Sequence, residues 1–234
     1  MTKQLVHQEI GGYHLGLIQE LSPTQGAALL KLIEQPCDSK RSTLNGRRSA
    51  SYGELPGFGR VVVKHYYRGG LFGRLVRSLY VRWGKTRSQA EFEVLNRAHT
   101  LGVVVPQPIA YAYRGLFLYR AWLVMKEVAE HESLAHMSLS DEDRARHFTE
   151  LLAEQISLLV EARIYHVDLH PGNVLIDRQN QMFLIDFDKA HDFCGSKNDL
   201  RDNYLVRWRR AVIKHNLPDF LCEILSSSLR RNFT

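Results

Sequence analysis

The chain has 234 residues, 44% of them hydrophobic and 24% charged, which excludes a disordered, charge-rich protein and suits one large domain or two small lobes. Its net charge of +6 favours acidic partners: nucleic acid, anionic lipid or a phosphorylated substrate. Cys37, Cys194 and Cys222 form no CxxC and argue against a disulfide framework or zinc site.

The start carries no basic region followed by an apolar run, so no signal peptide is expected, and no stretch approaches the roughly 20 apolar residues that span a bilayer. Residues 1–35 read as an irregular or strand-like start and then a helix. Ser22-Pro23 marks the helix N-terminus, Ala27-Ala28-Leu29-Leu30-Lys31-Leu32-Ile33 continues it, and Pro36 ends it. Residues 37–68 read as a twisted β hairpin with turn signals at Asn45-Gly46 and Pro56-Gly57-Phe58-Gly59. Arg60-Val61-Val62-Val63-Lys64-His65-Tyr66-Tyr67 is β-branched and aromatic, a strand carrying Lys64.

Residues 69–83 begin Gly69-Gly70 and carry Arg74, Arg77 and Arg82 with Leu71, Phe72, Leu75, Leu79 and Trp83 interleaved. This insert reads either as a stretch that lies on a membrane surface or as a helix with one packed and one solvated face. Residues 86–99 predict a helix. Glu91, Val94, Leu95 and Ala98 share its inward face, and a buried carboxylate needs a cation, for which Lys64 is the natural partner. Taken alone, Lys64 reads equally as a solvated strand lysine. Glu93, four residues before Arg97, reads as a surface pair.

Val103-Val104-Val105-Pro106 through Ala112, and Leu116 to Val128, predict further strands. Ser140-Asp141-Glu142-Asp143 resembles a capping box ahead of a core helix with Phe148, Leu151, Leu152, Leu158 and Leu159. A last helix is predicted from Asp202 to His215, with Leu205, Trp208 and Val212 on one face and Arg207, Arg210 and Lys214 on the other.

The chemistry is concentrated between residues 165 and 188. Tyr165-His166-Val167-Asp168-Leu169-His170-Pro171-Gly172-Asn173 is a polar loop feeding the apolar run Val174-Leu175-Ile176. After a turn, Phe183-Leu184-Ile185 leads into Asp186-Phe187-Asp188. One Asp to take a hydroxyl proton, with an Asn and a second Asp to hold metal between phosphates, is a set suited to phosphoryl transfer. In this order the residues resemble the protein-kinase-like superfamily. His166-Val167-Asp168 stands where the catalytic loop would be, and Asp186-Phe187-Asp188 where Asp-Phe-Gly would be.

The resemblance implies an α+β, two-lobed fold, with an antiparallel-sheet N-terminal lobe over residues 1–126 and a short, mainly helical C-terminal lobe over 127–234. It implies ATP and Mg²⁺ as cofactors. Asp168 would be the catalytic base, Lys64 oriented by Glu91 would reach the α/β-phosphates, Asn173 and Asp186 would hold the metal, and backbone groups at Glu127 and Val128 would bind adenine. The phosphate-covering loop would be Gly46-Arg47-Arg48-Ser49-Ala50-Ser51, where one glycine stands in place of GxGxxG. It reads equally as a phosphate cradle and as a plain hairpin turn. His166 reads as a prop for the loop. His170 either approaches the substrate or makes a structural hydrogen bond, and Asp188 either ligates metal or caps a turn. Arg207 and Arg210 are candidates for holding an anionic acceptor, or else one solvated face.

Several features depart from protein kinases. There is no Ala-Pro-Glu, Asp188 replaces the glycine, and the chain after it is short. Lys64-His65-Tyr66-Tyr67-Arg68-Gly69-Gly70, Leu101-Gly102-Val103-Val104-Val105-Pro106, the loop around Asp168 and Leu184-Ile185-Asp186-Phe187-Asp188-Lys189-Ala190 are similar to the 3-deoxy-D-manno-octulosonic acid (Kdo) kinases and related heptose kinases of lipopolysaccharide synthesis. That likeness implies an ATP:alcohol phosphotransferase acting on the 4-hydroxyl of Kdo on a lipid A precursor. It would be a peripheral protein on the cytoplasmic face of the inner membrane, partnered by anionic lipid and by neither nucleic acid nor an obligate protein. The alternatives are a heptose kinase, an aminoglycoside- or choline-type small-molecule kinase of the same superfamily, and a pseudokinase-like binding module.

Overall fold

The computed structural model describes residues 5–35, 50–66, 79–82 and 84–232. The Asn45-Gly46 turn, Pro36, Cys37, the loop from Gly46 to Ser49 and most of the basic insert lie outside these. The chain divides into two compact units, one comprising Met1–Asn96 with Gln107–Glu127, the other Arg97–Pro106 with Val128–Thr234. The expected division was a single boundary after residue 126; Arg97–Pro106 also falls with the second unit.

The first unit is an antiparallel sheet with helices. Its elements are β1 (Val6–Ile10), β2 (Tyr13–Leu17), α1 (Pro23–Glu34), β3 (Ala50–Leu55), β4 (Gly59–His65), β5 (Tyr80–Val81), the start of α2 (Arg87–Thr100), β6 (Pro108–Arg114) and β7 (Leu118–Lys126). The sheet order is β1-β2-β6-β7-β4-β3, with β5 added on β7. The chain start is thus a full hairpin rather than an irregular segment. Gly11 and Gly12 adopt φ of 58° and 76°, as the favoured two-residue turn requires. In the second hairpin the Phe58 N–H donates to the Leu55 carbonyl at 2.9 Å, with Gly57 at φ 81°.

Ser22 caps α1. Its hydroxyl accepts from the Gln25 N–H, and the Gln25 side chain accepts from the Ser22 N–H at 2.9 Å, a capping box with proline in the first turn. Leu29, Leu32 and Ile33 of α1 share one core with Leu15, Leu17, Val61, Val63, Ile109 and Val124. Val61 and Val63 point into that core, so the period of two turns Lys64 to the other face of β4. The strand predicted from Val103 begins only at Pro108. Residues 103–106 are bonded within the second unit instead: the Val104 carbonyl accepts from Leu184 N–H at 2.9 Å and its N–H donates to Gln155 at 2.7 Å.

The second unit is mainly helical. Its further elements are β8 (Glu132–Ser133), α3 (Leu134–Ser140), α4 (Glu142–Glu161), β9 (Ile164–Tyr165), a 3-10 turn (Pro171–Asn173), β10 (Val174–Ile176), β11 (Met182–Leu184), β12 (His191–Asp192), α5 (Lys197–Lys214) and α6 (Phe220–Asn232). Asp141, not Ser140, caps α4, accepting from the Arg144 N–H at 3.1 Å; Ser140 closes α3. The α4 core face is Phe148, Leu152, Ile156 and Leu159, while Leu158 is exposed and Leu151 half-buried. α4 packs on α5 and α6, and Trp208 Nε1 donates to the Leu221 carbonyl at 3.1 Å. α5 starts at Lys197, earlier than expected, because Ser196 and Asp199 form a capping box; α6 has no counterpart among the expected elements. The α+β class, with an antiparallel-sheet first unit and a mainly helical second, is as expected. Among the described residues no helix is long and apolar enough to cross a membrane.

Candidate active site

In the first unit Lys64 and Glu91 meet. Lys64 Nζ donates to Glu91 Oε1 at 2.8 Å and to Oε2 at 3.0 Å. Glu91 is only 2% exposed, as its place on the inward face of α2 predicts. The Tyr66 hydroxyl also donates to Glu91 Oε2. Two donors offset the desolvation of the carboxylate, which alone would be costly to bury. The Lys64 ammonium lies 5.5 Å from the Tyr66 ring centroid, and Arg87 lies 5.7 Å from it on its own account. Glu93 and Arg97 do not form the pair their spacing suggests. Glu93 takes Lys85 at 2.5 Å, whereas Arg97 holds Asp192 and the Ala162 carbonyl.

At the proposed adenine position, the Glu127 N–H donates to the Arg60 carbonyl at 3.1 Å, and the Glu127 carboxylate takes Arg60 Nε at 2.9 Å. The Val128 carbonyl accepts from His131 Nδ1 at 2.6 Å, which places the hydrogen on that ring nitrogen.

In the second unit the loop before β10 is fixed from behind. The His166 N–H donates to the Tyr204 hydroxyl, which donates on to the Ile164 carbonyl, both at 2.8 Å. His166 is fully buried, and its Nε2 lies 2.9 Å from the Ile185 carbonyl. A carbonyl only accepts, so Nε2 carries the hydrogen. Burial pushes the His166 pKa down, and its Nδ1 is buried with no hydrogen-bond partner among the described residues. The ring packs on Phe187 at 4.4 Å between centroids. His166 therefore ties the loop of Asp168 to the segment that carries Asp186.

His170 Nδ1 accepts from the Gly172 N–H at 3.0 Å and so caps the 3-10 turn. Burial lowers its pKa to about 4, with His215 and Arg207 acting in the same direction. Asn173 closes the turn, its N–H donating to the His170 carbonyl at 2.8 Å. Its side-chain Nδ2 donates to the Asp168 carbonyl at 2.9 Å. Asn173 precedes β10 and Asp186 follows β11 at the paired ends of these two strands: Val174 pairs with Leu184, and the Ile185 N–H donates to the Asn173 carbonyl at 3.0 Å. Asp186 has φ 65°, a left-handed conformation that costs a non-glycine residue energy and is found at functional sites. Phe187 next to it is fully buried.

The Asp168 carboxylate is gripped by two cations. Lys189 Nζ lies 2.8 Å from Oδ2, and Arg207 Nη2 lies 2.8 Å from Oδ1. The Asp168 side chain is 26% exposed, so this is a partly wet cluster. Arg207 Nε is buried and has no partner among the described residues. Of the three residues predicted to meet an acceptor, Arg207 joins Asp168, His170 caps the turn, and Arg210 is exposed on α5. Lys189 was not foreseen. No local pattern marks it, because a lysine after a turn reads the same whether it faces solvent or an aspartate.

Among the described residues no group of three or more His, Cys, Asp or Glu is set to hold a metal. Asn173 donates its amide NH₂ within the loop, which leaves its oxygen as the ligating group; with the Asp186 carboxylate that makes a hard-oxygen donor set. Such a set fits Mg²⁺, which takes one or two carboxylates and completes its shell with phosphates and water.

Residues 38–219 match the lipopolysaccharide kinase (Kdo/WaaP) family. The chain is 35% identical over 175 residues to a 3-deoxy-D-manno-octulosonic acid kinase of Vibrio vulnificus, spanning 74% of this chain and 72% of that protein. It is 38% identical over 156 residues to the kinase of the same name from Vibrio cholerae serotype O1, 65% of each chain. A third, from Mannheimia succiniciproducens, is 35% identical over 161 residues, again 65% of each. The match runs through the strand of Lys64, the helix of Glu91 and the whole Asp168 cluster, so the chain belongs to the lipopolysaccharide kinase (Kdo/WaaP) family and is a phosphotransferase.

Proposed function

We propose that the protein transfers the γ-phosphoryl group of ATP to the 4-hydroxyl of Kdo on a Kdo-bearing lipid A precursor. The reaction belongs to inner-core assembly at the cytoplasmic face of the inner membrane, where the basic chain sits peripherally on anionic lipid. The observation that carries this reading is the Asp168 carboxylate flanked at 2.8 Å by both Lys189 and Arg207. Cations beside the acceptor-activating group complement an acidic sugar on a phosphorylated lipid. The relatives named as Kdo kinases supply the acceptor.

In the mechanism Asp168 orients the sugar hydroxyl and takes its proton. Each carboxylate oxygen has a lone pair beyond the one given to Lys189 or Arg207, so the clamp does not exclude the acceptor. Asn173 holds the Asp168 main chain in place with its amide NH₂. Lys64, aligned by Glu91, binds the α/β-phosphates. Backbone groups at Glu127 and Val128 are assigned to adenine, and Gly46, outside the described residues, to phosphate. Asn173 and Asp186 would hold Mg²⁺, which would neutralise charge on the phosphates. Arg207 and Lys189 neutralise charge around the reacting oxygens. A loose transition state needs little covalent help, so positioning and charge neutralisation provide most of the acceleration.

The test is direct. The protein is incubated with Mg-ATP and Kdo-bearing lipid A precursor, and the product is weighed and fragmented. One phosphate on the 4-hydroxyl of Kdo is expected. No addition there, with transfer to a heptose or an aminoglycoside instead, overturns the assignment.

A further inference from the structure

Four large apolar side chains are exposed at one place in the first unit. Leu116, Phe117 and Leu118 are 72%, 83% and 53% exposed, and Val81 beside them 55%. They lie at the turn between β6 and β7 and on the short strand β5 added to it. Val81 pairs with Leu118, and the Arg82 N–H donates to the Phe117 carbonyl at 2.9 Å. The turn is a tight one. Gly115 has φ 110°, and a Cβ there would meet the Leu118 carbonyl oxygen at 2.1 Å, so only glycine fits. The backbone thus holds three consecutive apolar side chains out into solvent.

A basic collar surrounds them. Arg114 and Arg120 stand directly opposite each other across β6 and β7, below the turn. Like charges facing across a strand pair are destabilising. Arg82 adds a third cation next to Val81. Arg82 and Arg114 rest on the rings of Tyr113 and Tyr13, at 4.9 Å and 5.2 Å, and none of the three arginines forms an ion pair among the described residues. An apolar patch rimmed by cations that have no ion pair among the described residues is complementary to one kind of surface, an acyl layer beneath anionic headgroups. Four side chains on one turn fall well short of the roughly 800 Å² per partner of a stable protein interface.

We infer that the β6–β7 turn is the membrane-docking element of this kinase: Leu116, Phe117, Leu118 and Val81 enter the interfacial layer of an anionic bilayer while Arg82, Arg114 and Arg120 meet lipid phosphates. This rests on the membrane-side location proposed above and gives it a physical contact. Burying one such aromatic side chain strengthens binding by about tenfold or more, and each arginine near an anionic surface by about fivefold.

The experiment uses the whole chain and vesicles of phosphatidylcholine with or without phosphatidylglycerol, with neither ATP nor acceptor present. Its outcome is therefore independent of which sugar is phosphorylated. The unaltered protein is expected to sediment with anionic vesicles and to be released by high salt. Phe117→Ser weakens binding by about tenfold or more, and Arg114→Gln with Arg120→Gln by about tenfold or more. Phe117→Ser keeps the parent melting temperature because the ring is exposed, and Arg114→Gln with Arg120→Gln keeps or raises it because the exposed like-charge pair is relieved. Phe117→Trp gains blue-shifted fluorescence on vesicles that brominated lipid quenches, and Phe117→Ser phosphorylates an acyl-free acceptor at the parent rate. The inference is overturned if the parent protein stays in the supernatant, or if the variants sediment as it does. It is also overturned if Phe117→Ser instead dissociates a dimer in sedimentation velocity and leaves vesicle binding unchanged.

Discussion

Arg207, on α5, donates Nη2 to Asp168 Oδ1 at 2.8 Å, so the last long helices of the chain are tied to the loop that carries the proposed base. Lys189 takes the other oxygen. Asp168→Ala removes the group proposed to accept the hydroxyl proton. The variant is expected to fold and to bind ATP with near-parent affinity while losing at least about a hundredfold in kcat. Titration of ATP by calorimetry together with product mass measurement checks both halves. Substantial residual turnover would sink Asp168 as the base.

The same contact separates two roles for Arg207. Arg207→Met leaves Asp168 with Lys189 alone. If Arg207 neutralises the acceptor, KM for the Kdo acceptor rises about tenfold or more while KM for ATP is little changed, a loss of one charge-assisted interaction of about 1.5–3 kcal/mol. Initial rates with each substrate varied in turn give the split. Equal changes in both KM values would place Arg207 elsewhere in the mechanism.

Lys64 and Glu91 are a second test, of stability against function. Lys64→Met leaves buried Glu91 with the Tyr66 hydroxyl as a remaining donor, which costs about 2 kcal/mol. Lys64→Met with Glu91→Leu removes both charges and recovers much of that loss, since an apolar pair of similar volume tolerates burial. ATP affinity is expected to stay low in both variants, because the proposed phosphate-binding cation is gone. Denaturant melts and ATP binding on the single and double variants complete the cycle. Recovery of ATP affinity along with stability would deny Lys64 its phosphate.

What could be read from the sequence followed from patterns that local chemistry enforces. Glu91 was legible because helical spacing put a carboxylate among apolar residues, and burial then required Lys64. The order of Asp168, Asn173 and Asp186 was legible because the apolar strands between them set the register. Lys189 was not, because a lysine after a turn looks the same whether it faces solvent or an aspartate. The division at Arg97–Pro106 was hidden for a related reason. Val103-Val104-Val105 has strand-like composition, but Val104 bonds to Leu184 and Gln155 rather than joining the sheet. The Gly11-Gly12 hairpin and the Ser196–Asp199 cap were not among the expected turns and caps, and both extend elements beyond the expected limits.

Tyr204 holds the loop of the proposed base from behind. Its hydroxyl takes the His166 N–H and gives to the Ile164 carbonyl. Tyr204→Phe orphans both buried backbone groups, a cost of about 1–3 kcal/mol. The melting temperature is expected to fall by several degrees, at about 2–4 °C per kcal/mol for a chain of this size. The kcat decreases with it, while ATP binding through Lys64 persists. An unchanged melting temperature would show that water or a neighbour satisfies those groups.

His65 gives the fold a pH dependence of predictable sign. Trp122 Nε1 donates to His65 Nδ1 at 3.1 Å, so Nδ1 is the unprotonated nitrogen. His65 Nε2 then donates to the Ser51 hydroxyl at 3.1 Å, which donates on to the Leu32 carbonyl at 3.0 Å. A proton on Nδ1 would point at the Trp122 N–H. Burial accordingly lowers the His65 pKa to about 4 from 6.5. As pH falls below about 6.5 the unfolded chain takes up this proton and the folded chain does not, until about pH 4. The stabilising preference is complete at neutral pH, is lost progressively between those values, and amounts to about 3 kcal/mol. His65→Gln keeps an acceptor for Trp122 and a donor for Ser51 but does not titrate. Denaturant melts at half-unit steps from pH 7.5 to 4 should show a lower neutral stability for this variant and a shallower decline than the parent. His170, which is shifted the same way, contributes to both curves and cancels in their difference. Parallel curves would mean that His65 titrates alike in both states and that the Trp122–His65–Ser51 chain does not fix its tautomer.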